Sequence, residues 1–297
     1  MKKYYLILAA IAALTMTAQA QYLNWIEVGN FYNPTEVYDG SYFDMAPTNF
    51  YVPHTGAQMI YTSDLLTSMR GKEGVKIKYL NFKLNCQTYE EIVHNAKVYL
   101  REIDAAEFAI NEDGVKQFFE FGDLVAEGRY DLDLIDYYYE DLILEFEMDE
   151  PFSYTFGKNL LVTIILDAED DDNCTMGSDY AAFYTSDISG MAMTYTSNWN
   201  SFVDYALGNQ FPNATANMGC GTNVNLPVTE IGYTYERMRG DVNIDGIVDI
   251  DDVTSLIALV LNGGGDASAN PNADINDDHS VDIDDVTRLI DMILNGN

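Results

Sequence analysis

Asp241-Val242-Asn243-Ile244-Asp245-Gly246-Ile247-Val248-Asp249-Ile250-Asp251-Asp252-Val253-Thr254 aligns without a gap on Asp274-Ile275-Asn276-Asp277-Asp278-His279-Ser280-Val281-Asp282-Ile283-Asp284-Asp285-Val286-Thr287. Two stretches that match in register mark an internal duplication. Each has the spacing of an EF-hand-type calcium loop. Calcium is a hard cation that takes several oxygen ligands, and alternate loop residues turn their oxygens toward one point. Positions 1, 3 and 5 are Asp241, Asn243 and Asp245, then Asp274, Asn276 and Asp278. Position 7 serves through its backbone carbonyl, so Ile247 and Ser280 both suit it. Position 9 is Asp249 or Asp282, and position 12 is Asp252 or Asp285. Asp is shorter than the usual Glu at position 12, so the following helix must start closer to the ion. Two Ca2+ ions are expected.

Each loop feeds a helix. Ile250, Val253, Leu256, Ile257 and Val260 form an apolar stripe at helical spacing, repeated by Ile283, Val286, Leu289, Ile290 and Ile293. Entering helices are missing from the pattern. Gly240 directly precedes the first loop, and Pro271 lies just before the second. This duplicated loop-helix unit resembles the type I dockerin domain, over residues 240–297. The resemblance implies two units packed antiparallel, docked on a cohesin module, and a secreted carrier involved in polysaccharide utilisation. Two positions depart from the family. Its best-known members place small hydroxyl residues at loop positions 10 and 11, where this chain has Ile250-Asp251 and Ile283-Asp284. Position 6 makes a sharp turn that favours Gly, as in Gly246, but the second loop has His279. The second site is therefore expected to bind calcium more weakly.

Charge points the same way. The whole chain carries 15 Lys plus Arg against 48 Asp plus Glu, a net charge of −33. Such a chain cannot neutralise a run of phosphates, which excludes ordinary nucleic-acid binding, and it does not suit anionic lipid. Residues 240–297 hold 13 Asp, no Glu and one Arg, Arg288. Without cations these carboxylates repel at close range, so the tail is expected to fold when calcium binds.

Upstream the period changes from helix to strand. Val75, Ile77 and Tyr79 alternate with Lys76 and Lys78. Lys97 to Arg101, Leu142 to Phe146, Leu160 to Leu166, Met191 to Thr196 and Val228 to Tyr235 are short, β-rich and apolar. Turn-forming clusters separate them. The fold class is therefore mainly β: an antiparallel, jelly-roll-like β-sandwich over 21–239, then a small α-helical unit over 240–297. The boundary falls near Glu236-Arg237-Met238-Arg239, a linker too short for a long flexible tether. The stretches Gln58-Met59-Ile60-Tyr61-Thr62, Val98-Tyr99-Leu100, Pro151-Phe152-Ser153-Tyr154 and Lys158-Asn159-Leu160-Leu161-Val162 are similar to a recurring module of exported gut-bacterial surface proteins. That resemblance implies the β-sandwich of adhesin-like and carbohydrate-associated proteins.

Catalytic signatures are absent from the sequence. It has no His-Glu-x-x-His helix and no Gly-x-Ser-x-Gly elbow, and Met218-Gly219-Cys220-Gly221 matches no protease pattern. No catalytic residue is assigned. Tyr137-Tyr138-Tyr139, Tyr195, Trp199 and Tyr205 are candidates for stacking on sugar rings, and the run Asp167 to Asn173 reads as a solvated turn. The body is thus expected to be a non-catalytic module for a glycan or surface partner. A dockerin-bearing glycoside hydrolase, or a structural protein with the dockerin packed against the sandwich, are the alternatives.

Lys2-Lys3, the apolar run Leu6 to Leu14 and Ala18-Gln19-Ala20 read as a signal peptide over residues 1–20. The run is too short to span a membrane, so a secreted or cell-surface location is expected. Cys86, Cys174 and Cys220 allow three pairings, of which Cys174–Cys220 is preferred because both lie in loop-like sequence.

Overall fold

The computed structural model describes residues 23–34, 46–48, 52–86, 91–133, 142–168, 181–197, 202, 218–236, 238–267 and 270–295. The signal-peptide reading, Tyr137-Tyr138-Tyr139, Trp199, Tyr205, Cys174 and the side chains of Cys86 and Cys220 lie outside these residues.

The protein is mainly β. Its strands are β1 (Asn24–Val28), β2 (His54–Tyr61), β3 (Glu73–Cys86), β4 (Glu91–Ile103), β5 (Asp123–Asp133) and β6 (Leu142–Ser153). Then come β7 (Asn159–Ala168), β8 (Ala181–Phe183), β9 (Ala192–Ser197), β10 (Met218–Val224) and β11 (Thr229–Glu236). Among the described residues, one antiparallel sheet runs β1-β11-β3-β6, with β8 also paired to β3. The second runs β10-β9-β2-β7-β4-β5. Inward residues of both sheets share one core: Ile26, Ile77, Phe82 and Phe146 from the first meet Met59, Val98, Val162 and Ile164 from the second. The Tyr61 and Thr229 hydroxyls join the sheets across this core at 2.8 Å. This is an antiparallel β-sandwich. Each strand buries alternate residues inward, and burial of that apolar area supplies the dominant stabilisation.

β7 shows why its sequence is continuously apolar. It pairs with both β2 and β4, and Leu160 to Leu166 are buried on both faces. Its outer face is covered by the β4–β5 connection, where Gln58 Oε1 accepts from Phe119 N at 2.7 Å. Gln58 Nε2 donates to Phe119 O at 2.9 Å. The fully buried Gln58 thereby satisfies a strand-like pair of backbone groups that no strand reaches.

One face assignment differs from the alternation. Lys78 is a β-bulge against β11, because Ile77 and Tyr79 oppose the adjacent residues Tyr233 and Gly232, and on β6 the residues Met148 to Pro151 lie between the partners of Ile77 and Tyr79. Val75, Ile77, Leu80 and Phe82 point into the core, and Tyr79 turns to the outer face.

After β11 come α1 (Ile250–Leu261) and α2 (Ile283–Asn295), with a two-residue ladder between β12 (Gly265–Asp266) and β13 (Ser280–Val281). They form a second, separate core of Val253, Leu256, Ala273, Ile275, Val281, Val286 and Leu289. Asp249 caps α1 by accepting from Asp251 N at 2.8 Å. Asn262-Gly263-Gly264 ends it, with Gly264 N donating to Leu259 O at 3.1 Å. The expected stripe splits in two. Val253 and Leu256 are buried, as are Val286 and Leu289, whereas Ile250 (66%), Ile257 (40%), Ile283 (62%) and Ile290 (39%) are exposed.

Candidate metal centres

The two loops repeat one another bond for bond. Asp241 accepts from the amides of Asp245 at 3.0 Å and Gly246 at 3.1 Å. Asp274 accepts from those of Asp278 and His279, both at 3.2 Å. Asn243 Oδ1 accepts from Asp245 N at 2.9 Å, and Asn276 Oδ1 from Asp278 N at 3.0 Å. Asp245 Oδ1 accepts from Ile247 N, and Asp278 Oδ1 from Ser280 N, each at 2.9 Å. At position 12, Asp252 accepts from Val242 N (2.7 Å), Asn243 N (3.0 Å) and Asp249 N (2.9 Å). Asp285 accepts from Ile275 N (2.7 Å), Asn276 N (3.2 Å) and Asp282 N (2.9 Å). The first helical turn is thus stitched to the start of its own loop. In both copies the side chains of positions 1, 3, 5 and 12 accept from backbone amides of their own loop.

Two positions per loop take the left-handed conformation. They are position 4, Ile244 (φ 60°) and Asp277 (φ 61°), and position 6, Gly246 (φ 88°) and His279 (φ 70°). Position 6 follows the EF-hand turn. Position 4 has no counterpart in the sequence reading, and a β-branched Ile is an unfavourable occupant there. The linker ties into the second loop: Arg239 donates to Ile275 O at 3.0 Å and pairs with Asp277.

Electrostatics decide what the loops suit. Asp241, Asp252 and Asp285 are 1%, 0% and 0% exposed, and among the described residues no lysine or arginine pairs with them. Burial raises the Asp241 carboxyl above its ordinary value. The Gly246 and Asp245 amides pull it part of the way back, and neighbouring Asp252 and Asp245 oppose them. Backbone amides offset that burial, with two donating to Asp241 and three each to Asp252 and Asp285. Among the described residues no group of three or more His, Cys, Asp and Glu side chains closes on a common point. The carboxylates are turned onto loop amides. The donors are all oxygens, five side chains and one carbonyl per loop, with no thiol or imidazole, and that set fits a hard divalent cation.

The body offers less. Tyr195, a sugar-stacking candidate, is buried against Phe202, with ring centroids 5.3 Å apart. Asp167, read as part of a turn, sits in β7, where its Oδ1 lies 2.8 Å from His54 Nδ1. Ser197 is opposite His54 on the other side but is fully buried, so the three present no accessible nucleophile. Among the described residues no helix is long and apolar enough to cross a membrane.

A scan against protein-family models matches none, and searches of curated proteins and of solved structures return no match.

Proposed function

We propose that the chain is an exported calcium-binding protein whose β-sandwich recognises a glycan or surface partner. Residues 240–297 act as a dockerin, coupling the sandwich to a cohesin-like module of a larger assembly. Except at β4–β5 and β9–β10, successive strands alternate between the two sheets, which supports the jelly-roll reading of the body. The ligands for two Ca2+ ions are Asp241, Asn243, Asp245, Ile247, Asp249 and Asp252, then Asp274, Asn276, Asp278, Ser280, Asp282 and Asp285. The bound cation supplies the positive charge that these carboxylates lack.

One observation carries the docking role. Ile250, Ile257 and Leu261 (80%) lie exposed on α1, and Ile283, Ile290 and Leu294 (76%) lie exposed at the same offsets on α2. At 100° per residue these triads sit about 100° around each helix from the buried face. Large apolar side chains exposed along one face of each helix of a small unit mark an interaction site. Because both triads are exposed rather than packed on the sandwich, they favour an external partner over intramolecular packing. The Ile-Asp pairs at loop positions 10 and 11 call for a partner surface that is apolar where the usual one receives hydroxyls.

The test is binding of the mature chain to a panel of purified cohesin modules in calcium and in chelator. Calcium-dependent binding that Ile257→Asp and Ile290→Asp together abolish is the expected result. Binding indifferent to calcium, or to both substitutions, would contradict it.

A further inference from the structure

The outer face of the five-stranded sheet carries a row that the sequence pattern concealed. Trp25 of β1, Gly232 of β11, Tyr79 of β3 and Glu147 of β6 stand side by side in register. Gly232 is there because the indole lies down on the backbone. A Cβ at that position would come within 2.6 Å of Trp25 Cζ3 and 2.9 Å of Cη2. The Trp25 and Tyr79 rings lie 5.7 Å apart at 37°, and Trp25 remains 38% exposed. The Tyr79 hydroxyl donates to Glu147 Oε1 at 2.9 Å, which fixes the edge of the platform.

The next row, two residues or roughly 7 Å along the strands, is Glu27, Glu230, Asn81 and Glu145. Glu27 and Glu145 are exposed. Asn81, 5% exposed, donates to Glu230 and leaves its own Oδ1 without a hydrogen-bond partner. An aromatic floor is therefore fringed by acceptors.

We propose that Trp25 and Tyr79 form the stacking platform of a neutral-glycan site, with Glu27, Glu145 and Glu147 receiving the sugar hydroxyls. The proposal rests on reading the body as a glycan-recognition module and assigns a place to that role. A pyranose offers an apolar C–H face to an aromatic ring and a rim of hydroxyl donors. The carboxylates match those donors, and they repel uronic or sulfated chains.

The chain has two Trp, so Trp199→Phe leaves Trp25 as the sole indole reporter. That protein is titrated with cellohexaose, xylohexaose, mannohexaose and polygalacturonate, following Trp fluorescence and calorimetric heat. A neutral hexaose is expected to perturb Trp25 emission and to bind, and polygalacturonate is not. Trp25→Ala is expected to weaken binding by about tenfold. Tyr79→Phe keeps the ring and frees Glu147, and is expected to weaken it by about threefold. Tyr79→Phe also serves if Trp25→Ala fails to fold. Hexaose binding untouched by both substitutions would remove this platform and leave the glycan reading standing. Absence of binding by all three neutral hexaoses, or preference for polygalacturonate, would remove both.

Discussion

Gly71 sits against the carbonyl of Ile244, so close that a Cβ on Gly71 would fall 2.3 Å from that oxygen. The β2–β3 connection of the sandwich thereby touches the first candidate calcium loop at its left-handed position 4. Gly71 itself has φ +70°, so it is required twice, for its conformation and for the approach.

Gly71→Ala should therefore destabilise the protein by about 2–3 kcal/mol, combining backbone strain of about 1 kcal/mol with a backbone clash. Gly114 is the control, because it has φ +79° and nothing within 4 Å of an added Cβ. Gly114→Ala should cost only the strain of about 1 kcal/mol. Denaturant melts of the two variants measure the difference, and equal losses would mean that the tail does not rest on Gly71.

Loop strain should appear in metal affinity. His279 has φ 70° where the first loop has Gly246, so His279→Gly should tighten the second site by about fivefold, equivalent to about 1 kcal/mol. Ile244, at φ 60°, should respond likewise to Ile244→Asn. Calorimetric titration of each variant reads the affected site. Two sites unchanged by either substitution would show that the loops bind calcium in another conformation.

Gln58 is the anchor of the β4–β5 connection. Gln58→Leu keeps the volume but strands the Phe119 N–H and carbonyl, at a cost of about 2–3 kcal/mol. Faster hydrogen exchange confined to residues 105–122 should accompany the loss of stability. Uniform loss across the body would instead indicate a general core defect.

Alkaline unfolding should be confined to the body at first. Burial, and then Glu102, push the Tyr154 phenol up to about 12, and burial raises Tyr61 and Tyr233 further. A folded value above the unfolded one stabilises fully below the unfolded value near 10 and is lost as pH rises through the folded value. Stability should thus fall between about pH 10 and 12. Residues 240–297 contain no Tyr, Trp or Phe, so phenolate absorbance reports the body alone. Unfolding complete below pH 10 would contradict this account.

The duplication was legible because it is a pattern of covalent spacing, and the two copies make the same hydrogen bonds at the same loop positions. Val253, Leu256, Val286 and Leu289 were placed correctly in the tail's core. Ile250 and Ile257 were not, because a helix apolar on two adjoining faces shows one broad stripe in sequence. Strand existence was readable from β-rich runs such as Leu160 to Leu166. The face of Tyr79 was not, since one inserted residue, Lys78, turns every later side chain over. Trp25 became a candidate only when Gly232 and Tyr79 were seen beside it, an adjacency between residues far apart in the chain.

The central claim is that two divalent ions hold the aspartate-rich tail together. Calorimetric titration of the metal-stripped mature chain with calcium, paired with far-ultraviolet circular dichroism, tests it most directly. The account predicts two ions per chain and a gain of helical signal that chelator reverses, with the aromatic signal of the body unchanged. No binding heat, or helices that persist untouched in chelator, would contradict it.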